Sequence, residues 1–209
     1  MIDRIYCINL DTRPDRWRLF EQQPGRKSLG NINRISGRTS DSFTSYMKYR
    51  SEVKSGELGC TTSHLNILKQ IKKFKLNNTI VFEDDAIINP GIKTTIREIL
   101  SKIHNNYNIC YLGGNYVTDM QSSMVTQYDG YMSCKDILST VGYILNIRCV
   151  DQLIRLIRRN MFQKPVDEIY REFQHNNTCY IATPRLVHQQ PGYSDICKGY
   201  RDYSRMRDF

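Results

Sequence analysis

The order of apolar segments predicts an α/β protein with a mainly parallel central sheet in a Rossmann-type sandwich. Three observations lead there. Short apolar runs of strand length alternate with amphipathic runs of helix length at 25–30-residue spacing, the order of βαβ units. The strand runs are nearly continuous in apolar residues, as in sheets covered on both faces. Polar clusters sit just after several of these runs, where open α/β sheets bind ligands.

The first run, residues 4–10 (RIYCINL), reads as a buried strand. Asp11 or Thr12 can cap the helix that follows at 14–22, where Pro14 suits the first turn and Asp15 its positive end. Pro24-Gly25 ends that helix, and 32–36 (INRIS) is a second short strand. Residues 38–57 show no clean period and read as a loop or a short helix. From 63 to 75, Leu65, Leu68, Ile71 and Phe74 fall at steps of three on one helical face. Ile80-Val81-Phe82 is a strand running directly into Glu83-Asp84-Asp85. Residues 92–104 give a helix with Ile92, Ile96, Ile99, Leu100 and Ile103 inward, and 108–112 a strand that Gly113-Gly114 breaks. Residues 140–147 are strand-like. Residues 150–162 form a helix with Leu153, Ile154, Ile157 and Met161 inward and Arg155, Arg158 and Arg159 outward. A short helix at 165–174 and a strand at 178–182 complete the pattern, and the tail from Gly199 alternates Arg, Asp and Tyr.

Composition bounds the function. The 209 residues predict one domain, and 40% hydrophobic with 24% charged residues excludes a disordered chain. No apolar run approaches the roughly 18 residues of a membrane helix, and no signal-peptide pattern opens the sequence. The expectation is a soluble, cytoplasmic protein, able to sit at a membrane surface. Lys, Asn and Ile usage suggests an AT-rich bacterial or viral genome. Thirty basic against 21 acidic residues give +9, a balance that attracts polyanions or is merely a solvated surface. Seven cysteines with no CxxC argue against a disulfide framework and a zinc knuckle.

Glu83-Asp84-Asp85 is the sharpest chemical signal. Three consecutive acids repel one another unless a cation joins them, so the pattern fits a hard divalent metal, Mn²⁺ or Mg²⁺. The cluster is all oxygen, with no cysteine or histidine beside it in sequence, which disfavours zinc. The alternative is a set of first-turn acids before the next helix. The run from Gly56 to Leu65 (GELGCTTSHL) reads as a loop leading into a helix, either an anion or sugar-hydroxyl site or an ordinary loop capped by Ser63. Cys60 is a nucleophile beside His64 or a small buried filler. Asp11, Arg13, Asp15 and Arg16 form either a salt-bridged helix start or a nucleotide contact. Asp167 is a first-turn acid by position, and a lone His188 is more often structural than a ligand.

Taken in order, these pieces resemble glycosyltransferase family 25. The matching segments are Ile8 to Asp11 with Arg13, Asp15 and Arg16; Arg34 to Gly37; Gly56 to Cys60 with Ser63-His64; Val81 to Ala86; Tyr111 to Gly114; Gly142 to Leu145; Pro165 to Asp167; and Pro184 to Gln189 with Ser194 to Ile196. The resemblance implies a GT-A-like fold that transfers galactose or glucose from UDP-galactose or UDP-glucose, usually with inversion, to a glycan or hydroxylysine-type acceptor. No nucleic-acid partner is expected, because the triple-acid strand end would repel phosphate unless a metal intervened; the basic faces could instead hold an anionic or membrane-associated acceptor. Carried onto this chain, it gives Glu83, Asp85 and His188 as metal ligands. Asn9, Leu10, Asp11, Arg16, Gly59, Ser63, His64, Glu83, Asp84, Gly113 and Gly114 would line the nucleotide-sugar pocket. Asp167 is the candidate base, with Glu168 and Asp119 as rivals. The single domain, 1–209, would divide into a nucleotide-sugar part at about 1–115, an acceptor part at about 116–198, and a basic tail at 199–209. Rival classes are a noncatalytic nucleotide-sugar-binding relative and a basic nucleic-acid-binding module.

Overall fold

The computed structural model describes residues 1–39, 51–116, 126–196 and 198–202. Eight strands make the main sheet in the order β2-β1-β3-β10-β5-β11-β8-β7. They are β1 Arg4–Asn9, β2 Asn33–Ser36, β3 Asn78–Glu83, β5 Ile109–Tyr111, β7 Gln127–Tyr128, β8 Tyr131–Ser133, β10 Gly142–Asn146 and β11 Cys179–Ala182. β10 and β8 run opposite to the other six, so the sheet is mostly parallel in direction but mixed in its pairings.

Alternation along each strand sends side chains to two separate cores. Tyr6, Val81, Ile109, Tyr111, Tyr143 and Leu145 enter one. Their neighbours Ile5, Cys7, Ile80, Phe82, Cys110 and Ile144 enter the other. Helices α3 (Ser55–Phe74), α5 (Val150–Asn160) and α6 (Val166–His175) cover the first face. Helices α1 (Pro14–Gln22) and α4 (Ile92–Ile103) cover the second, through Phe20 and the isoleucines 92, 96, 99 and 103. A short α2 (Pro24–Ser28) follows α1. The result is the expected α/β sandwich.

Two expectations change. Helix α3 starts at Ser55, so the stretch from Gly56 to Ser63 is helix rather than loop. The Glu57 carboxylate accepts from the Lys54 backbone N–H (2.8 Å) and secures that first turn. Phe74 does not join the buried face; it is 48% exposed, with the Arg4 guanidinium 4.9 Å from its ring centre. The loop expected at 38–57 falls largely on residues 40–50, outside the described residues, as does Asp119. The six described cysteines are free thiols, and no described helix is long and apolar enough to cross a membrane.

Short pairings finish the edge where the acids lie. β4 (Ala86–Ile88) pairs antiparallel with β12 (Val187–Gln189), and β6 (Asn115–Tyr116) with β9 (Ile137–Leu138). A hairpin of β13 (Gly192–Ser194) and β14 (Gly199–Arg201) follows.

Candidate functional site

β1, β2 and β3 are parallel neighbours, so their carboxyl ends meet at one edge: Ile8 lies opposite both Ile35 and Glu83, and Asn9 opposite Ser36. The antiparallel β10 begins at the same edge, with Gly142 opposite Phe82. The acids at 83–85 therefore emerge from the middle of the sheet with the start of α1 on one side and α3 on the other.

Each acid meets different company. Glu83 Oε1 accepts from Thr140 Oγ1 (2.5 Å) and lies 3.3 Å from His64 Nε2. Burial pushes its carboxyl up, but the His64 and Thr140 hydrogen bonds and the Arg16 charge bring it below the ordinary range. Asp84 turns the other way. Its Oδ2 accepts from Asn9 Nδ2 (2.6 Å) and its Oδ1 from Arg16 Nη1 (3.1 Å). Burial still raises its carboxyl, with the two hydrogen bonds opposing. Asp85 is the least satisfied. Gln189 Nε2 donates to Oδ2 (3.0 Å), while Oδ1 is enclosed and has no hydrogen-bond partner among the described residues. Burial first, then the Glu83 and Asp84 charges, push this carboxyl up to about 7. A buried carboxylate oxygen without a donor is costly, and a hard cation removes that cost. The donor set of Asp85 and Glu83 fits Mn²⁺ or Mg²⁺ in chemistry.

Around the acids, the start of α1 is an ionic corner. Asn9 also donates to the Arg13 carbonyl (2.9 Å) and accepts from Arg34 Nε (2.7 Å). Arg13 pairs with Asp15 and, at 2.5 Å, with Asp195, while Arg16 donates to the Tyr193 carbonyl. Asp11 is exposed and held below its usual range by hydrogen bonds from Arg34 and Ser36. Leu10 is half-buried, and its carbonyl accepts from the Arg13 N–H (2.9 Å).

The α3 side is buried. His64 Nδ1 lies 2.6 Å from the Tyr143 hydroxyl, which in turn approaches Tyr170. Ser63 Oγ donates to the Gly59 carbonyl and accepts from the Arg38 N–H (2.9 Å). A Cβ on Gly59 would lie 2.3 Å from the Arg38 carbonyl oxygen. Gly59 and Ser63 thus seat the chain leaving β2 against α3. Gly113 plays a similar part: a Cβ there would lie 1.9 Å from the Val187 carbonyl oxygen. A Cβ on Gly114 would meet the Ile137 side chain.

Asp167, in the first turn of α6, accepts from the Glu168 N–H (3.0 Å). Burial and the Glu83 and Glu168 charges raise its carboxyl. Glu168 pairs with Arg171 instead. His188 is half-buried opposite Ile87 in the β4–β12 pair. The described cluster closest to a set of ligands is Cys60, His64 and Glu83; of the expected set of Glu83, Asp85 and His188 it holds only Glu83.

Residues 2–170 match the family described as glycosyltransferase family 25 (LPS biosynthesis protein). The chain belongs to that family. A family 25 member of Drosophila melanogaster is 25% identical over 186 residues, covering 80% of this chain and 30% of the relative. Human procollagen galactosyltransferase 2 is 24% identical over 230 residues, covering 91% and 36%. The human protein named inactive glycosyltransferase 25 family member 3 is 24% identical over 207 residues, covering 86% and 33%. The chain therefore spans about a third of the length of these relatives.

Within this family 25 chain, the fold gathers Asn9, Arg16, His64, Glu83, Asp84 and Asp85 at one edge. It adds partners that sequence reasoning did not single out. Thr140 orients Glu83, and the Tyr143 and Tyr170 hydroxyls back His64. Gln189 and Asp195 lie in matched segments, but their contacts with Asp85 and Arg13 cross more than a hundred residues of chain. No local pattern carries such pairings.

Proposed function

We propose that this chain is the catalytic domain of a metal-dependent glycosyltransferase. It would move a hexose, galactose or glucose, from a UDP-sugar to a glycan or hydroxylysine-type acceptor with inversion. The observation that carries the reading is the enclosed, unpartnered Asp85 Oδ1 at the carboxyl edge of the sheet, between two further acids. Asp85 and Glu83 would hold Mn²⁺ or Mg²⁺, and His188 is the more remote candidate third ligand. When bound, such an ion offsets the charge that develops on a departing diphosphate.

The remaining work falls to the chain's own groups. Arg16 and Asn9 hold Asp84 and so fix the edge against which a nucleotide would lie. Arg13 and Arg16 carry positive charge beside the acids, suited to a diphosphate once Asp195 yields its place. Asp167, raised by burial and negative neighbours, has the basicity to take a proton from an acceptor hydroxyl. Donor binding would fall on about 1–115 and acceptor binding on about 116–198.

The test is UDP release from a panel of UDP-sugars with Mn²⁺ or EDTA, for the wild type and Asp85→Ala. Metal-dependent release from one donor, lost in the variant, is the expected result. A second reading is a noncatalytic relative, favoured by the similarity to a family member named inactive. Calorimetric UDP-sugar binding without release from any donor or acceptor mixture would support it. No binding at all would overturn both.

A further inference from the structure

The sequence places no cysteine or histidine beside the acids, but the fold does. Cys60 and His64 are four residues apart in α3 and so share one face of that helix. That face packs over the end of β3, where Glu83 emerges. The Cys60 thiol, a His64 ring nitrogen and a Glu83 carboxylate oxygen all lie within 4.8 Å of one another.

We propose that Cys60, His64 and Glu83 form a site for a thiophilic divalent cation, Zn²⁺. The proposal rests on this geometry alone and holds whether or not the chain transfers sugar. Zinc takes sulfur at about 2.3 Å and nitrogen or oxygen at about 2.0–2.1 Å, so tetrahedral nitrogen and oxygen ligands stand about 3.3 Å apart. His64 Nε2 and Glu83 Oε1 are 3.3 Å apart. That is long for a charge-assisted hydrogen bond, which sits at about 2.7–2.9 Å. The other imidazole nitrogen is already engaged: Nδ1 lies 2.6 Å from the Tyr143 hydroxyl. A second hydrogen-bonding group of this kind fixes the ring and leaves Nε2 to face a metal. Thr140 Oγ1 steadies the carboxylate oxygen in the same way. The set of one sulfur, one nitrogen and one oxygen suits zinc better than magnesium or manganese. The fourth position is left for water. Binding forms one metal–sulfur bond and sends the thiol proton to solvent.

Glu83 belongs to both this site and the proposed donor edge, so zinc here withdraws Glu83 from the hard metal.

The experiment is a Co²⁺ titration of the metal-stripped full chain, followed by absorption. One equivalent should produce a near-ultraviolet thiolate-to-cobalt band and the intense visible bands of four-coordinate cobalt. Both should vanish in Cys60→Ser and persist in Cys110→Ser, a buried thiol on the opposite core. His64→Gln should weaken cobalt binding at least about tenfold. Stoichiometric Zn²⁺ should bleach the bands, and excess Mg²⁺ should not. If Cys60→Ser fails to fold by circular dichroism, alkylation of wild-type Cys60, read by mass spectrometry, replaces it: Zn²⁺ must slow the labelling at least about tenfold. A band that survives in a folded Cys60→Ser, no band in the folded wild type, or labelling indifferent to zinc overturns the proposal. The three groups are then a hydrogen-bonded core cluster only.

Discussion

Asp85→Asn should stabilise the metal-free chain while removing its response to Mn²⁺. An ordinary aspartate loses its proton near 3.8, whereas Asp85 in the folded chain is pushed up to about 7. The folded chain therefore holds the Asp85 proton across a range where the unfolded chain has released it. Stability falls as pH rises through that range and levels off above about 7. At about 1.4 kcal/mol per tenfold, keeping the group ionised at pH 8 costs at most about 4 kcal/mol. Asp85 is only half-buried as a residue, and solvent screening brings the expected figure to about 2 kcal/mol. Asparagine keeps an oxygen for Gln189 and puts an N–H₂ group where the unpartnered Oδ1 now lies.

The assay is urea unfolding in EDTA at pH 8 and pH 6. The variant should be more stable than the wild type at pH 8, by about 2 kcal/mol. The gap should shrink by about 1 kcal/mol at pH 6, where the wild-type carboxyl is largely protonated. Adding Mn²⁺ should raise the wild-type midpoint and leave the variant's unchanged. A variant less stable than the wild type at pH 8, or an equal pH slope in both, would refute the account of Asp85 as an uncompensated carboxylate.

Three further outcomes are expected. Gly113→Ala should cost about 1–3 kcal/mol in urea unfolding, because its Cβ would sit 1.9 Å from the Val187 carbonyl oxygen and backbone must shift; an unchanged midpoint would mean the β12 approach is loose. Arg16→Met should cost about 1–3 kcal/mol by leaving the buried Asp84 with Asn9 alone, and should weaken UDP-sugar binding by calorimetry; wild-type affinity would remove Arg16 from the donor edge. Asp167→Asn should lower turnover at least about 100-fold with no loss of stability, since it removes a carboxylate whose charge burial disfavours; turnover within about threefold of wild type would exclude Asp167 as the base.

The parts legible in the sequence are those with a long, regular period. The face of α4 and the inward and outward sides of α5 follow from spacing, and so do β1, β3 and β5. The first turns of helix α3 were hidden because Gly56, Gly59, Cys60, Thr61, Thr62 and Ser63 are weak helix formers. Tertiary contact decides there: Gly56 packs on the Ile196 backbone and Gly59 on the Arg38 carbonyl. Thr61 and Ser63 bond back to carbonyls four residues earlier, using their hydroxyls without leaving the helix. The antiparallel course of β10 was hidden as well. Alternation of strands and helices implies crossovers, but among the described residues between β5 and β10 there are only short strands. Without a crossover helix a strand can return antiparallel. Strands of two or three residues such as β4 and β12 carry no readable period, and with them went the contact of Gln189 with Asp85.

The same packing explains why three adjacent acids are not interchangeable. Successive residues leaving a strand point to different sides, so each carboxylate meets a different layer of the sandwich. Glu83 faces α3 and finds an imidazole and a hydroxyl. Asp84 faces α1 and finds an arginine and an amide. Asp85 passes into the β4–β12 pair and finds one amide, with its other oxygen left over. The chain itself offsets the Glu83 charge and part of the Asp84 charge, and Asp85 is the one left most in need of a partner from outside. An all-oxygen trio read as one metal cradle is, in this fold, a carboxylate fixed on each flank and a single unsatisfied oxygen beyond them. The cation affinity of this edge should therefore depend on Asp85 far more than on Asp84. A calorimetric Mn²⁺ titration in which Asp84→Asn weakened binding as much as Asp85→Asn would contradict that division.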